Sequence, residues 1–144
     1  MKKFFKILNL ILFYFLCFYS SGFTNEEKIK IGLLVPLTGK DKEIGQQIVK
    51  STRIALKDIN SKKIEIYPRD TNSDPNKTIK SAFELKKIGV KIVIGPVFYK
   101  SLDYLNEIED LVFVSLTNKT LNLPNNIVSG GVNATSQLNT IKKF

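Results

Sequence analysis

The segment IKIGLLVPLTGKDKEIGQQIVKSTRIALKDIN, residues 29–60, joins an apolar run to an amphipathic stretch and decides the fold. Residues 29–37 are almost continuously apolar and are followed by Thr38-Gly39, which end the run, a pattern typical of a strand buried on both faces of a parallel sheet. Over residues 41–60 the apolar side chains recur at helical spacing, which predicts an amphipathic helix. The side chains on its apolar face are Ile44, Ile48, Ala55, Leu56 and Ile59.

The rest of the chain repeats this alternation of strands and helices. Asp74-Pro75 predicts the start of the second helix, because Asp is a preferred N-cap and Pro suits the first helical position; Gly89 ends the helix. Strands that alternate with helices imply parallel pairing through right-handed crossovers. The predicted fold is therefore α/β, a Rossmann-like parallel sheet with flanking helices. Further strands are predicted over residues 64–67, 90–94, 111–116 and 127–128, and further helices over residues 99–109 and 134–144.

Residues 1–24 have the three-part layout of a secretory signal peptide. A basic head with three lysines precedes an apolar run over residues 7–19, and small residues follow. Ser20 and Gly22 satisfy the small-x-small cleavage rule, which predicts a cut after Gly22, with a cut after Thr24 as the alternative. We therefore expect a mature protein in the periplasm.

Two other interpretations of this leader stay open. A retained membrane anchor is the first, but the apolar run is shorter than the roughly 20 residues that span a bilayer. A lipid anchor on Cys17, the single cysteine of the chain, is the second. It requires a small residue directly before the cysteine, and Leu16 stands there.

The net charge of +9 invites a nucleic-acid interpretation, which the distribution of the charges argues against. The leader takes three lysines and no acid with it, which leaves 19 basic and 13 acidic residues and a net charge of +6. Arg53 and Arg69 are the only arginines, and lysines alternate with acids in KDKE at residues 40–43. Nucleic-acid surfaces favour arginine and interleaved aromatic residues. We expect a solvated basic surface and no nucleic-acid partner.

The composition also excludes most catalytic arrangements. The chain has no His, which removes His-based triads, proton shuttles and imidazole zinc sites. No glycine-rich dinucleotide or phosphate loop follows the first predicted strand, and the SGG of residues 129–131 is not a nucleophile elbow. Asp74 is better explained as a helix cap than as a catalytic carboxylate. We predict a protein that is not an enzyme and uses no metal or cofactor.

A ligand site is expected beyond the carboxyl ends of the strands, where ligands bind in open α/β sheets. Four predicted loops meet there, at residues 36–39, 70–74, 95–101 and 115–120, and each carries small or hydroxylated residues. Helix N-termini at this edge present free N–H groups, which suit an anionic group such as a carboxylate.

Several segments, in order, resemble the type I periplasmic solute-binding proteins of the Leu/Ile/Val-binding group. Residues 29–60 resemble the family's opening strand, PLTG-type turn and first helix. RDTNSDPNKTIKSAFELKKIGVKIVIGPV, residues 69–97, resembles its next signature, and VFVSLTNKT, residues 112–120, its fourth strand and loop. NIVSGGVNATSQLNTIKKF, residues 126–144, resembles the segment that ends the first stretch of lobe one. The resemblance covers essentially all of residues 28–144.

The resemblance implies a fold of two α/β lobes that close on a ligand between them. Residues 28–144 would form the first part of the N-terminal lobe, and the last predicted helix runs to the final residue without a Gly or Pro stop, so we expect an incomplete chain. The implied function is the secreted substrate-binding component of an ABC-type transporter for amino acids or similar small polar solutes. Its implied partner is a membrane permease.

The resemblance also implies which loops hold the ligand. Family members that bind amino acids grip them with small hydroxylated residues after the third and fourth strands, and the matching positions here are Tyr99, and Asn118 with Lys119. The other candidate ligand-binding residues are hydroxylated neighbours in these two loops and residues of the turn after the first strand. The candidate ligand-binding residues are Thr38, Gly39, Tyr99, Ser101, Ser115, Thr117 and Asn118.

Tyr99 and Lys119 are bulkier than the small hydroxylated residues they replace, which leaves a second function open. Some activators of penicillin-binding proteins carry the same fold as a docking domain, and resemblance to that branch implies a peptidoglycan synthase as the partner. The absence of a lipidation cysteine argues against this alternative, because its best-known members are lipoproteins.

Overall fold

The computed structural model describes residues 28–102, 104–118, 122–131 and 134–142. The predicted signal peptide and Lys119 lie outside these ranges. Each helix within them is too short or too polar to span a bilayer.

In the described ranges, five parallel strands form one sheet in the order β2-β1-β3-β4-β5, which confirms the predicted fold class. Two α-helices of 18 and 13 residues and one of eight connect or follow these strands in the same part of the chain. The strands are β1 (Ile29–Val35), β2 (Ile64–Asp70), β3 (Ile92–Ile94), β4 (Val112–Ser115) and β5 (Ile127–Ser129). The helices are α1 (Lys42–Ile59), α2 (Pro75–Lys87) and α3 (Ala134–Ile141), with short 3₁₀ helices at Tyr99–Leu102 and Leu105–Glu107.

The start of α2 is confirmed at the residues that predicted it. The Asp74 side chain accepts a hydrogen bond from the N–H of Lys77 at 2.7 Å, and Pro75 occupies the first helical position. After the helix, Gly89 adopts a φ of 83°, which only glycine adopts at low cost. The chain then enters β3 without a long loop.

The predicted helix over residues 99–109 is wrong, because two short 3₁₀ helices replace it. Its apolar positions are nevertheless buried, since Leu102, Leu105 and Ile108 all join the core. Their spacing of three residues fits the three residues per turn of a 3₁₀ helix. Tyr104, at a φ of 67°, separates the two turns and prevents a continuous α-helix.

The main core lies between the sheet and α2. Val93 of β3 and Phe113 of β4 pack there with Ala82 and Leu85 of α2, and all four are fully buried. The inward positions of β3 to β5 therefore contact α2 or the 3₁₀ segment that follows β3.

α1 crosses the opposite face of the sheet, as right-handed crossovers require for this strand order. The helix itself is confirmed, but its apolar stripe is only partly covered. Ile44 and Ile59 are 43% and 60% exposed, because only the side of the helix that faces β1 is packed.

The same face of the sheet carries two aliphatic rows that the strand register defines. Ile66, Ile31, Ile92 and Val112 lie side by side across β2, β1, β3 and β4, and Pro68, Leu33, Ile94, Val114 and Val128 form the next row. Leu33 is fully buried on β1, whereas Ile92, Val112 and Val128 are 42%, 46% and 56% exposed. Among the described residues, the rows are therefore fully buried at Leu33, half-buried at Ile31, Ile94 and Val114, and exposed at one position on each of β3, β4 and β5.

Replacing Gly45 by Ala tests the contact between α1 and the loop after β1. A Cβ at residue 45 would lie 1.8 Å from the carbonyl oxygen of Pro36. We expect the Gly45→Ala variant to lose about 1–3 kcal/mol of unfolding free energy to overpacking, although Ala is the better helix former by about 1 kcal/mol. Urea unfolding followed by circular dichroism measures the change.

The matched control is Gln46→Ala, at an exposed position of the same helix turn. That variant should change the unfolding free energy by less than about 0.5 kcal/mol. A Gly45→Ala protein as stable as the control would contradict the close contact.

Candidate functional site

The carboxylate of Asp70, the last residue of β2, bonds together the loops that follow β1 and β2. Oδ1 accepts hydrogen bonds from the backbone N–H groups of Leu37 at 2.8 Å, Thr38 at 3.2 Å and Asn72 at 2.9 Å. Oδ2 accepts from the Thr38 hydroxyl at 2.6 Å and from the ammonium group of Lys77 in the first turn of α2. One side chain therefore connects two loops and a helix start.

The pKa of Asp70 reflects this environment. Partial burial pushes the pKa of the carboxyl upward, but the hydrogen bonds from Lys77, Thr38, Asn72 and Leu37 outweigh burial and hold it well below its ordinary range. The group is thus a carboxylate at neutral pH.

Gly39 completes the turn after β1. It has a φ of 81°, and a Cβ there would lie 2.2 Å from the side-chain oxygen of Asn72. A second contact between the same loops runs from the Ser73 hydroxyl to the carboxylate of Asp41, at 2.7 Å. The turn is therefore held by the loop after β2 on both sides of Gly39.

Two buried hydroxyl groups mark the loops after β3 and β4. Ser115 is fully buried and Thr117 is 5% exposed. The Ser115 hydroxyl lies 3.2 Å from that of Thr117, accepts from the N–H of Thr117 at 3.2 Å and donates to the carbonyl of Pro96 at 3.4 Å. The N–H of Leu116 also donates to Pro96, at 3.1 Å. These bonds fix the β4 loop against the loop that begins at Gly95.

The end of β5 closes onto the same loop. The Ser129 hydroxyl donates to the carbonyl of Thr117 at 3.1 Å, and the N–H of Gly130 donates to the carbonyl of Ser115 at 2.7 Å. A Cβ at Gly131 would lie 2.0 Å from the carbonyl oxygen of Thr117, so only glycine fits there. The loops after β3, β4 and β5 thus form a second bonded group.

The candidate residues divide between these two groups and between surface and interior. Thr38 and Gly39 belong to the first group, and Ser115 and Thr117 to the second. Because β1 and β3 are neighbours at the point where the strand order reverses, the two groups lie side by side. The exposed candidates are Thr38, Gly39, Tyr99 and Asn118, and the buried candidates are Ser101, Ser115 and Thr117.

This arrangement suits binding through hydrogen bonds. The loops offer hydroxyl, amide and backbone groups on a rigid support. In the described part of the chain, no grouping of acidic or Cys side chains is placed to hold a metal ion.

The sequence profile of the periplasmic binding protein family matches residues 28–144, which includes every strand and helix described above. The chain belongs to the periplasmic binding protein family. No curated protein matches the sequence at a significant level.

Solved structures of other periplasmic binding proteins share the fold. A branched-chain amino acid transporter protein from Rhodopseudomonas palustris superposes with a TM-score of 0.66 at 17% identity, over 76% of this chain and 34% of its own. A branched-chain amino acid substrate-binding protein from Streptococcus pneumoniae, in complex with isoleucine, gives 0.62 at 20% identity, over 70% and 33%. An R. palustris solute-binding protein in complex with 4-hydroxybenzoate gives 0.59 at 22% identity, over 63% and 27%.

This member of the family spans about a third or less of the length of those relatives. At such identities the likeness concerns the fold alone, and each ligand belongs to the protein in which it was found.

Sequence reasoning assigned the loop at residues 70–74 to the site but missed the role of Asp70. Its partners Leu37 and Thr38 lie more than 30 residues away, so no local spacing reveals the bonds. The available signal was the position of the residue, an acid at the last place of a strand with a hydroxylated turn expected beside it.

Replacing Asp70 by Asn tests whether this carboxylate joins the loops. Asn keeps one acceptor oxygen, but its NH₂ group would face the donors Thr38 and Lys77, so we expect a loss of about 1–3 kcal/mol of unfolding free energy at pH 7. The folded pKa lies below the ordinary value of about 3.9. The advantage of the wild type is therefore complete above that value and is lost as the pH falls through it towards the folded pKa.

Urea unfolding of both proteins at pH 7 and pH 3 measures this difference. Asp110→Asn is the matched control, because Asp110 also pairs with a lysine, Lys86, but is 60% exposed. An exposed pair contributes less than about 1 kcal/mol. Equal losses in the two variants at pH 7 would contradict the central position of Asp70.

Proposed function

We propose that this chain is the first part of the N-terminal lobe of the secreted substrate-binding component of an ABC-type transporter. It binds an amino acid or a similar small polar solute and performs no chemistry on it. The observation that carries the proposal is the pair of bonded loop groups at the carboxyl edge of the sheet, on a chain of the periplasmic binding protein family.

The two groups take different parts in this proposal. The N–H groups of Leu37 and Thr38 already donate to Asp70, so the loop after β1 has few free donors for a solute. Its main part is to give one side of the proposed site its shape. Tyr99 and Asn118 are exposed, and their phenol and amide groups are free to face a solute. Ser115 and Thr117 lie beneath them and hold the β4 loop in place.

Rigid support matters because binding costs the entropy of ordering the groups that make contact. A loop already fixed through Pro96, Ser115 and Ser129 loses little freedom when a ligand arrives. Function in this family member is thus proposed to rest on hydrogen bonds from preorganised loops.

The proposal also covers the export of the protein and the delivery of its solute to a permease. Residues 1–24 serve as a signal peptide, which takes the protein to the periplasm. The partner there is the membrane permease that receives the solute. The similar structures that bind isoleucine and 4-hydroxybenzoate support a small solute with a carboxylate, which agrees with an amino acid or a related acid.

A thermal-shift screen of amino acids and small aromatic acids against the full-length, two-lobed protein tests the proposal. A solute at about 100 times its dissociation constant should stabilise the protein by about 2.7 kcal/mol. Asn118→Ala should reduce the shift of the best solute, because it removes an exposed amide from the site. Asn76→Ala, which removes an exposed amide on α2, should leave the shift unchanged.

No shift with any solute would overturn the transport proposal. If a peptidoglycan synthase then bound the protein directly in a pull-down of purified components, the docking function would replace it. A shift that Asn118→Ala and Asn76→Ala reduce equally would place the solute elsewhere on the molecule.

A further inference from the structure

A groove runs along the amino edge of the sheet, at the opposite end of the strands from the candidate site. Val112, the first residue of β4, and Asn126, directly before β5, line it. The groove consists of two connected pockets of about 840 and 460 Å³. They share four lining residues: Asn106, Asn122, Leu123 and Pro124.

The lining combines apolar side chains with uncharged polar and acidic ones. Leu123 and Pro124 are half-buried, and the exposed amides of Asn106, Asn122 and Asn125 surround them. Carboxylates come from Glu107 and Glu109, and Tyr104 adds an aromatic ring that is 61% exposed. Among the described residues that line the two pockets none is Lys or Arg, although the chain has 22 of these.

The wall beside β4 is rigid. The side-chain amide of Asn126 donates to the carbonyls of Leu105 at 3.0 Å, Ile108 at 3.2 Å and Leu111 at 3.3 Å. Its backbone carbonyl accepts from the N–H of Phe113 at 2.8 Å. One asparagine thus joins the loop before β5 to the segment before β4, and the groove is formed before any ligand arrives.

Two residues that line the groove have unusual backbone angles. Tyr104 has a φ of 67° and Asn122 a φ of 53°. Asn tolerates the left-handed region, but a bulky aromatic residue rarely adopts it. Backbone strain of this kind persists where the surroundings impose it, and it concentrates at ligand sites. Here it presents the Tyr104 ring and the Asn122 amide at the same groove.

We propose that this groove binds a carbohydrate, a short chain of neutral or amino sugars. Each amide offers two donors and an acceptor, which match neighbouring hydroxyl groups of a sugar. The apolar face of a sugar ring packs on an aromatic ring such as that of Tyr104 and on the Leu123-Pro124 floor. The carboxylates of Glu107 and Glu109, with no cation among the described lining residues, disfavour phosphorylated or acidic ligands. Each of the two pocket volumes lies in the range of small-ligand sites.

Titration of the purified protein with three trisaccharides tests the proposal: maltotriose, cellotriose and tri-N-acetylchitotriose. Chemical-shift changes in the ¹⁵N spectrum should appear at residues of the groove, with a dissociation constant of about 0.1–10 mM for at least one sugar. Tyr104→Ala should weaken binding about fivefold. Asn106→Ala, at an exposed position of the second 3₁₀ helix, should also weaken it and serves if the Tyr104 variant does not fold.

Phe83→Ala is the matched control, because Phe83 is an exposed aromatic residue on α2, outside the groove. It should leave the dissociation constant unchanged. Inorganic phosphate serves as the anionic probe and should cause no shift at the groove.

Three results would overturn the proposal. They are the absence of shifts with all three sugars at about 10 mM, sugar binding that persists unchanged in both the Tyr104 and Asn106 variants, and binding of phosphate in place of sugar. Loss of solute binding at the opposite edge would not bear on this groove, so the two sites are tested separately.

Discussion

The Asp70 carboxylate supports the edge of the sheet on which the proposed binding function depends. Its two oxygens accept from the β1 loop, from the turn after β2 and from Lys77 at the start of α2. A carboxylate in a partly buried position is costly unless it is paired and hydrogen-bonded. Here the donors more than compensate, and the same bonds that keep the group ionised hold the turn around Gly39 in its shape.

The second loop group depends on hydrogen bonds between neutral groups. Carbonyls of Pro96, Ser115 and Thr117 accept from groups of the neighbouring loops, so the ends of β3, β4 and β5 hold one another without a charge. On one side of the strand-order reversal, the loops are therefore fixed by the charged Asp70 carboxylate. On the other side, they are fixed by hydroxyl and peptide groups. In the proposed binding mode, a solute between the two groups would meet donors already used by Asp70 on the Thr38 side and exposed polar side chains on the Asn118 side.

The strand–helix alternation could be predicted from the sequence because each element carries a local signal. Asp74-Pro75 starts α2 through a contact with Lys77, three residues away, and the apolar run at residues 29–35 reports burial directly. The 3₁₀ segment was mispredicted because its three-residue spacing satisfies a helical pattern, while the residue that holds it, Asn126, lies some 20 positions later.

Prediction of the candidate site from the sequence meets the same limit, because distant contacts leave no local signal. The gathering of hydroxylated residues in loops at one edge of the sheet was predictable, since the carboxyl ends of parallel strands meet there. Whether such a residue is exposed, like Tyr99, or fully buried, like Ser115, depends on how the loops after β3, β4 and β5 pack together. Such packing leaves no pattern in the local sequence.

The half-covered sheet has a thermodynamic consequence. Ile92, Val112 and Val128 already face solvent in the folded chain, so unfolding hydrates less new hydrocarbon than in a sheet covered on both sides. The heat-capacity increment of unfolding, ordinarily about 12–15 cal/mol/K per residue, is reduced accordingly. The stability curve is then less strongly curved, so cooling weakens this fold less than it weakens one whose sheet is covered on both sides.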